Sequence, residues 1–110
     1  MTYWHGSGRI DGNWLTPPSE HGNARVCHGE PFVYLTPTRS LALSYASTTD
    51  CPWLYEVEPI GEVEQDPDSL LPPGESVRCE RAKILRRFKP SRVEVGSARA
   101  AAMMAMDALT

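Results

Sequence analysis

No apolar run in this sequence approaches the roughly 20 residues that a membrane-spanning helix needs, so a helical span is not expected. Nothing at the start of the chain has the basic-then-apolar layout of a secretory signal, and export by that route is not expected either. Cysteine is scarce: Cys27, Cys51 and Cys79 are an odd count with no CxxC spacing. That argues against a disulfide framework and a zinc ribbon and fits a reduced, cytoplasmic protein. Positive charge is not in excess, since 11 basic and 14 acidic residues leave a formal charge of −3. The chain therefore has no global field of the kind that gives non-specific affinity for nucleic acid. Uninterrupted stretches are rare as well, because ten prolines and eight glycines cut the chain into short pieces that suit strands and turns.

What is present describes one folded unit. At 110 residues a split would leave halves too small to bury a useful core, so residues 1–110 are read as a single domain. With 41% hydrophobic and 23% charged residues, the composition lies outside the disordered range. Residues 6–31 are rich in glycine and proline and read as an irregular region around a short element near Trp14 and Leu15. Phe32–Thr36, bounded by Pro31 and Pro37, is a strand, and Thr38 is placed to cap a helix over Ser40–Ser47. Trp53–Pro59 alternates Trp53, Tyr55 and Val57 against Leu54, Glu56 and Glu58, the period of a half-buried strand. Two short strands near Val77–Glu80 and Lys83–Phe88 follow a proline-stiffened loop, and the alanine-rich Ser97–Leu109 reads as a helix capped by Ser97. Trp53, Tyr55, Val57, Ile84 and Leu85 are the expected core. Strands with one or two short helices make an α+β domain built on antiparallel sheets.

Three residues draw attention by type and context: His5 before Gly6, Tyr34 inside a strand, and Asp66 before Pro67. Each alone has a plainer explanation, as a turn residue, a core ring and a turn former. The basic run holding Arg78, Arg81, Lys83, Arg86, Arg87 and Lys89 is either the solvated face of a strand pair or a landing site for a phosphate-bearing ligand. Cys27, His28 and His21 lack a fourth ligand at a recognised spacing, so no metal is expected. Gly6-Ser7-Gly8 lacks the lysine of a phosphate loop.

Taken in order, His5-Gly6, then Val33-Tyr34-Leu35-Thr36, then a helix, then Val57-Glu58-Pro59-Ile60-Gly61 and an acidic stretch ending Asp66-Pro67, the chain resembles the rifamycin ADP-ribosyltransferases. Ser76-Val77-Arg78 resembles the Ser-Tyr-Arg that follows a Pro-Gly loop in that family, and the likeness covers roughly His5 to Phe88. Tyr34 and Tyr45, 11 positions apart, resemble the aromatic pair that sandwiches nicotinamide in diphtheria toxin and the poly(ADP-ribose) polymerases. The rifamycin enzymes usually carry tryptophan in the helix where this chain has Tyr45.

The resemblance implies a small ADP-ribosyltransferase fold, two packed antiparallel sheets forming a split β-sandwich around an NAD cleft. It implies a glycosyltransferase that consumes NAD as a substrate, needs no metal, and passes ADP-ribose to an acceptor. Under it His5, Tyr34 and Asp66 are the catalytic set, and His5, Gly6, Tyr34, Thr36, Ser44, Tyr45 and Arg78 contact the dinucleotide. The acceptor it implies is a rifamycin-like small molecule, which would give antibiotic resistance. The alternatives are a protein or nucleic-acid target, as for a toxin or effector, and a catalytically silent NAD or ADP-ribose binding module.

Overall fold

The computed structural model of the chain describes residues 1–17, 32–67 and 69–109. Among them run β1 (Tyr3–Ser7), β2 (Trp14–Leu15), β3 (Val33–Leu35), α1 (Arg39–Ala46), β4 (Trp53–Ile60), β5 (Glu64–Gln65), β6 (Val77–Cys79), β7 (Arg81–Phe88) and α2 (Arg92–Leu109). The class is α+β. One antiparallel sheet has the order β1-β4-β7-β2 and the other β3-β6-β5. An isolated bridge between Trp4 and Thr36 links β1 to the end of β3, through backbone hydrogen bonds of 2.7 and 3.0 Å. Among the described residues, no helix is long and apolar enough to cross a membrane.

The core between the sheets follows from the alternation along β4. Tyr55 and Val57 point inward and pack with Leu15, Val33, Leu35, Val77, Cys79, Ala82 and Ile84. Leu54 corrects the half-buried reading: it sits on the opposite face yet is 0% exposed. Ala42, Leu43 and Ala46 of α1 and Ala98 of α2 cover that face, with Trp4 alongside. Period two shows which residues share a face, whereas a covering layer on the other face comes from distant segments. Fully burying a leucine this way contributes about 2–3 kcal/mol.

Leu85 is not core, contrary to expectation, and stands 50% exposed. The β4–β7 register shifts between Glu56 and Val57, which face Arg86 and Ile84, so Leu85 is the extra residue of a bulge. Beyond the bulge, Arg86 lies 3.8 Å from Glu56. Arg87 lies over the Tyr55 ring at 6.0 Å and donates to the carbonyls of Ile10 and Gly12. Arg78 in β6 and Arg81–Phe88 in β7 belong to different sheets, so the basic run is not the face of one strand pair.

Two boundaries and one cap bond also differ from the sequence reading. Gly6 lies within β1, inside the region read as irregular, because β1 packs so closely on α1 that a Cβ at Gly6 would come within 1.7 Å of the Ala42 carbonyl oxygen. Thr38 is the N-cap of α1 by position, but its hydroxyl makes no cap bond and instead donates to Glu75 Oε2 at 2.7 Å. Helix α2 begins at Arg92, not after Ser97. Ser91 and Glu94 form a reciprocal capping box, with Glu94 N–H donating to Ser91 Oγ and Ser91 N–H to Glu94 Oε2, both at 3.1 Å. The C-terminal carbonyls of α1 are met by Ser47, Thr48 and Thr49 hydroxyls, and Arg99 Nε from α2 donates to the Ser47 carbonyl at 2.7 Å.

Candidate active site

A cavity of about 360 Å³ opens where the two sheets and α1 meet, lined by Trp4, His5 and Gly6 from β1, Tyr34 and Leu35 from β3, Thr36, Tyr45 from α1, Asp66 and Ser76. Each arrives for a local reason. Tyr34 faces the cavity because its neighbours Val33 and Leu35 are spent on the core. Tyr45 is on the exposed side of α1, whose other side buries Ala42, Leu43 and Ala46. Asp66 immediately follows the short edge strand β5.

His5 is held with one defined tautomer. Its Nδ1 lies 2.8 Å from the Tyr34 carbonyl oxygen, an atom that can only accept, so Nδ1 carries the proton and Nε2 keeps a lone pair. Burial pushes the imidazole below its ordinary pKa of 6.5, and the bond to the Tyr34 carbonyl opposes that shift only in part. The ring is therefore neutral near pH 7. It also sits 6.4 Å from the Tyr55 ring, whose hydroxyl is fixed by the Gly8 carbonyl and the Ile10 N–H.

Asp66 accepts a 3.2 Å hydrogen bond at Oδ2 from Ser76 Oγ, and its N–H donates to the Ser76 carbonyl at 3.0 Å. Burial raises the pKa of the Tyr45 hydroxyl, and the negative charge of Asp66 adds to that rise. The carboxylate thus acts across the cavity on the helix. With His5 neutral, Asp66 is the one charged side chain among the described lining residues.

His5, Gly6, Tyr34, Thr36, Tyr45 and Asp66 are thus brought together, and Ser44 and Arg78 are not. Ser44 Oγ donates back to the Ser40 carbonyl at 3.1 Å on the helix surface. Arg78 stands outside the lining, paired with Glu64, 4.0 Å over the Phe32 ring and hydrogen-bonded to the Tyr34 side chain. Thr36 is 2% exposed, and its Oγ1 already accepts the Thr38 N–H at 3.0 Å. Trp4, Leu35 and Ser76 line the cavity without having been singled out. Trp4 and Leu35 could have been found as neighbours of His5 and Tyr34, whereas Ser76 carried a signal only through its likeness to the Ser-x-Arg segment.

Among the described residues, no group of three His, Cys, Asp or Glu side chains could hold a metal ion. His21, Cys27 and His28 lie outside the described residues. No model of a known protein family matches the chain, and no curated protein matches it either.

Proposed function

We propose that the chain is an NAD-dependent mono-ADP-ribosyltransferase that releases nicotinamide and passes ADP-ribose to a rifamycin-like small molecule. The observation that carries this reading is convergence: His5, Tyr34 and Asp66, far apart in sequence, line one cavity together with Gly6 and Tyr45. The chemistry of that lining suits the substrate. Nicotinamide in NAD is a cationic pyridinium, attracted to the electron-rich faces of tyrosines and to a carboxylate. Gly6, whose missing side chain makes room for α1, lines the cavity, where its backbone N–H and C=O suit a carboxamide. His5, neutral with its Nε2 lone pair available, can accept a hydrogen bond from a ribose hydroxyl.

Loss of nicotinamide leaves an oxocarbenium-like ribosyl group, and Asp66 is the group suited to stabilise that charge as it develops. A cavity of about 360 Å³ is at the small end of ligand sites, which run from about 300 to 1,000 Å³. It suits the nicotinamide and its ribose, with the remainder of the dinucleotide outside.

The test is to incubate the protein with NAD and measure free nicotinamide, then add rifampicin and look for the mass of an attached ADP-ribose. Wild type should release nicotinamide, and Asp66→Ala should slow release by about 10²-fold or more, the usual cost of losing one electrostatic stabiliser. No release by folded wild type sinks the transferase reading and leaves a silent binding module. A protein or nucleic-acid acceptor is favoured by one residue, Tyr45, where the rifamycin enzymes carry tryptophan. Growth arrest on expression, relieved by Asp66→Ala, would select that acceptor.

A further inference from the structure

The direction of Asp66 depends on what holds it from outside its own strand. It follows a two-residue edge strand whose side chains Glu64 and Gln65 are both exposed, and it opens a loop that carries Pro67, Pro72, Pro73 and a Gly74 at φ +88°. A short side chain at such a point turns about two torsions, and a hydrogen bond from a well-anchored residue narrows the directions in which its carboxylate faces the cavity.

Ser76 is such a residue by position. It enters β6, the middle strand of its sheet, flanked on both sides by β3 and β5, and it is only 8% exposed. It grips Asp66 twice, through Oγ to the carboxylate at 3.2 Å and through its carbonyl to the Asp66 N–H at 3.0 Å. The residue beside it, Glu75, accepts the Thr38 hydroxyl at 2.7 Å and ties the same end of the loop to the start of α1. The far end of the loop is thus anchored to a strand and a helix before it reaches back to the acid.

We infer that Ser76 is a positioning residue that sets the direction of the Asp66 carboxylate within the cavity. This rests on the proposed function, because direction matters only if the carboxylate faces a developing charge. Ser76 itself lines the cavity, and the role inferred for it is exercised through Asp66. A misplacement of about 1 Å in a catalytic group can cost on the order of 10²-fold in rate, while uniform substrate binding is left alone.

The experiment measures nicotinamide release from NAD by the full chain carrying Ser76→Ala, Ser76→Thr or Ser76→Cys. The expected result is a fall in kcat of about 10- to 100-fold for alanine with KM for NAD within about twofold, and recovery by threonine, which keeps the hydroxyl. In an Asp66→Asn background the alanine change should add little, because the two residues act as one unit. Wild-type kcat in S76A, or an undiminished further loss in the D66N background, overturns the inference. If S76A does not fold, S76C decides, since it keeps the volume with a weak donor: a wild-type kcat there overturns the inference and a lowered kcat supports it. If wild type itself releases no nicotinamide, the functional reading fails alone. Crystal structures of S76A and S76T then decide whether the carboxylate swings away without the hydroxyl, as expected, or stays, which overturns the inference.

Discussion

Gly6→Ala is the sharpest test of how this fold builds its cavity. A Cβ at position 6 would lie 1.7 Å from the Ala42 carbonyl oxygen, 2.6 Å from its carbon and 3.0 Å from the Ala46 nitrogen, all backbone atoms of α1. No rotamer change relieves such a contact, so strand and helix must separate until the shortest distance exceeds 3.0 Å. Neither is free to move: β1 is laddered to β4 over five residues, while Ala42 and Ala46 are 0% exposed and Arg99 holds the end of α1. Overpacking a core with one methyl group costs about 1–3 kcal/mol, and a clash between two backbones belongs at the top of that range or above it. In a domain of this size each 1 kcal/mol lowers Tm by about 4–8 °C, so Gly6→Ala should lose at least about 12 °C. Gly96→Ala is the matched control, with nothing within 4 Å of its Cβ position and a place inside α2. It should gain about 0.8–1 kcal/mol from helix propensity. Thermal unfolding followed by circular dichroism reads both. A Gly6→Ala protein melting within about 4 °C of wild type would refute the reasoning.

Two further expectations concern His5 and the start of α2. Burial holds folded His5 below its ordinary pKa of 6.5, so below pH 6.5 the unfolded chain binds more protons at this site and stability declines, while above 6.5 both states are neutral there and His5 adds no slope. Melting temperatures taken from about pH 8 down to about pH 5 should show that decline, with His5→Gln flattening part of it; an identical slope in the variant counts against a buried imidazole. Ser91→Ala should cost about 1 kcal/mol by breaking the box with Glu94, and Ser97→Ala, inside α2, should change stability by less than about 0.5 kcal/mol. Equal effects in urea titrations would mean that the helix begins elsewhere.

The elements that could be read from sequence are those whose signal is local. Prolines bracket β3, and the alternation along Trp53–Pro59 delivers Tyr55 and Val57 to the core. The 11-residue spacing of Tyr34 and Tyr45 spans a strand and the helix after it, and both line one cavity. What could not be read depends on segments meeting at a distance. Gly6 looks like a loop residue because nothing nearby reveals that Ala42 will pass over it. Leu54 looks exposed until α1 and α2 cover it, and Leu85 looks buried until a bulge turns it out. The box of Ser91 and Glu94 was visible as Ser-x-x-Glu, but Val93, Val95 and Gly96 weaken the helical signal that should follow it. Arg78 illustrates a different limit: its charge suggested an anion, and its neighbours Glu64 and Tyr34 already use it.

The bridge between Trp4 and Thr36 bears on how the cavity keeps its width. Among the described residues it is the isolated bridge joining the two sheets, and the His5 bond to the Tyr34 carbonyl crosses the same line. Parting the layers at this mouth would break the bridge and the imidazole bond together, and would open the apolar core that the two sheets share. The imidazole, rooted in one leaf and fastened to the other, thus serves as a clasp across the rim.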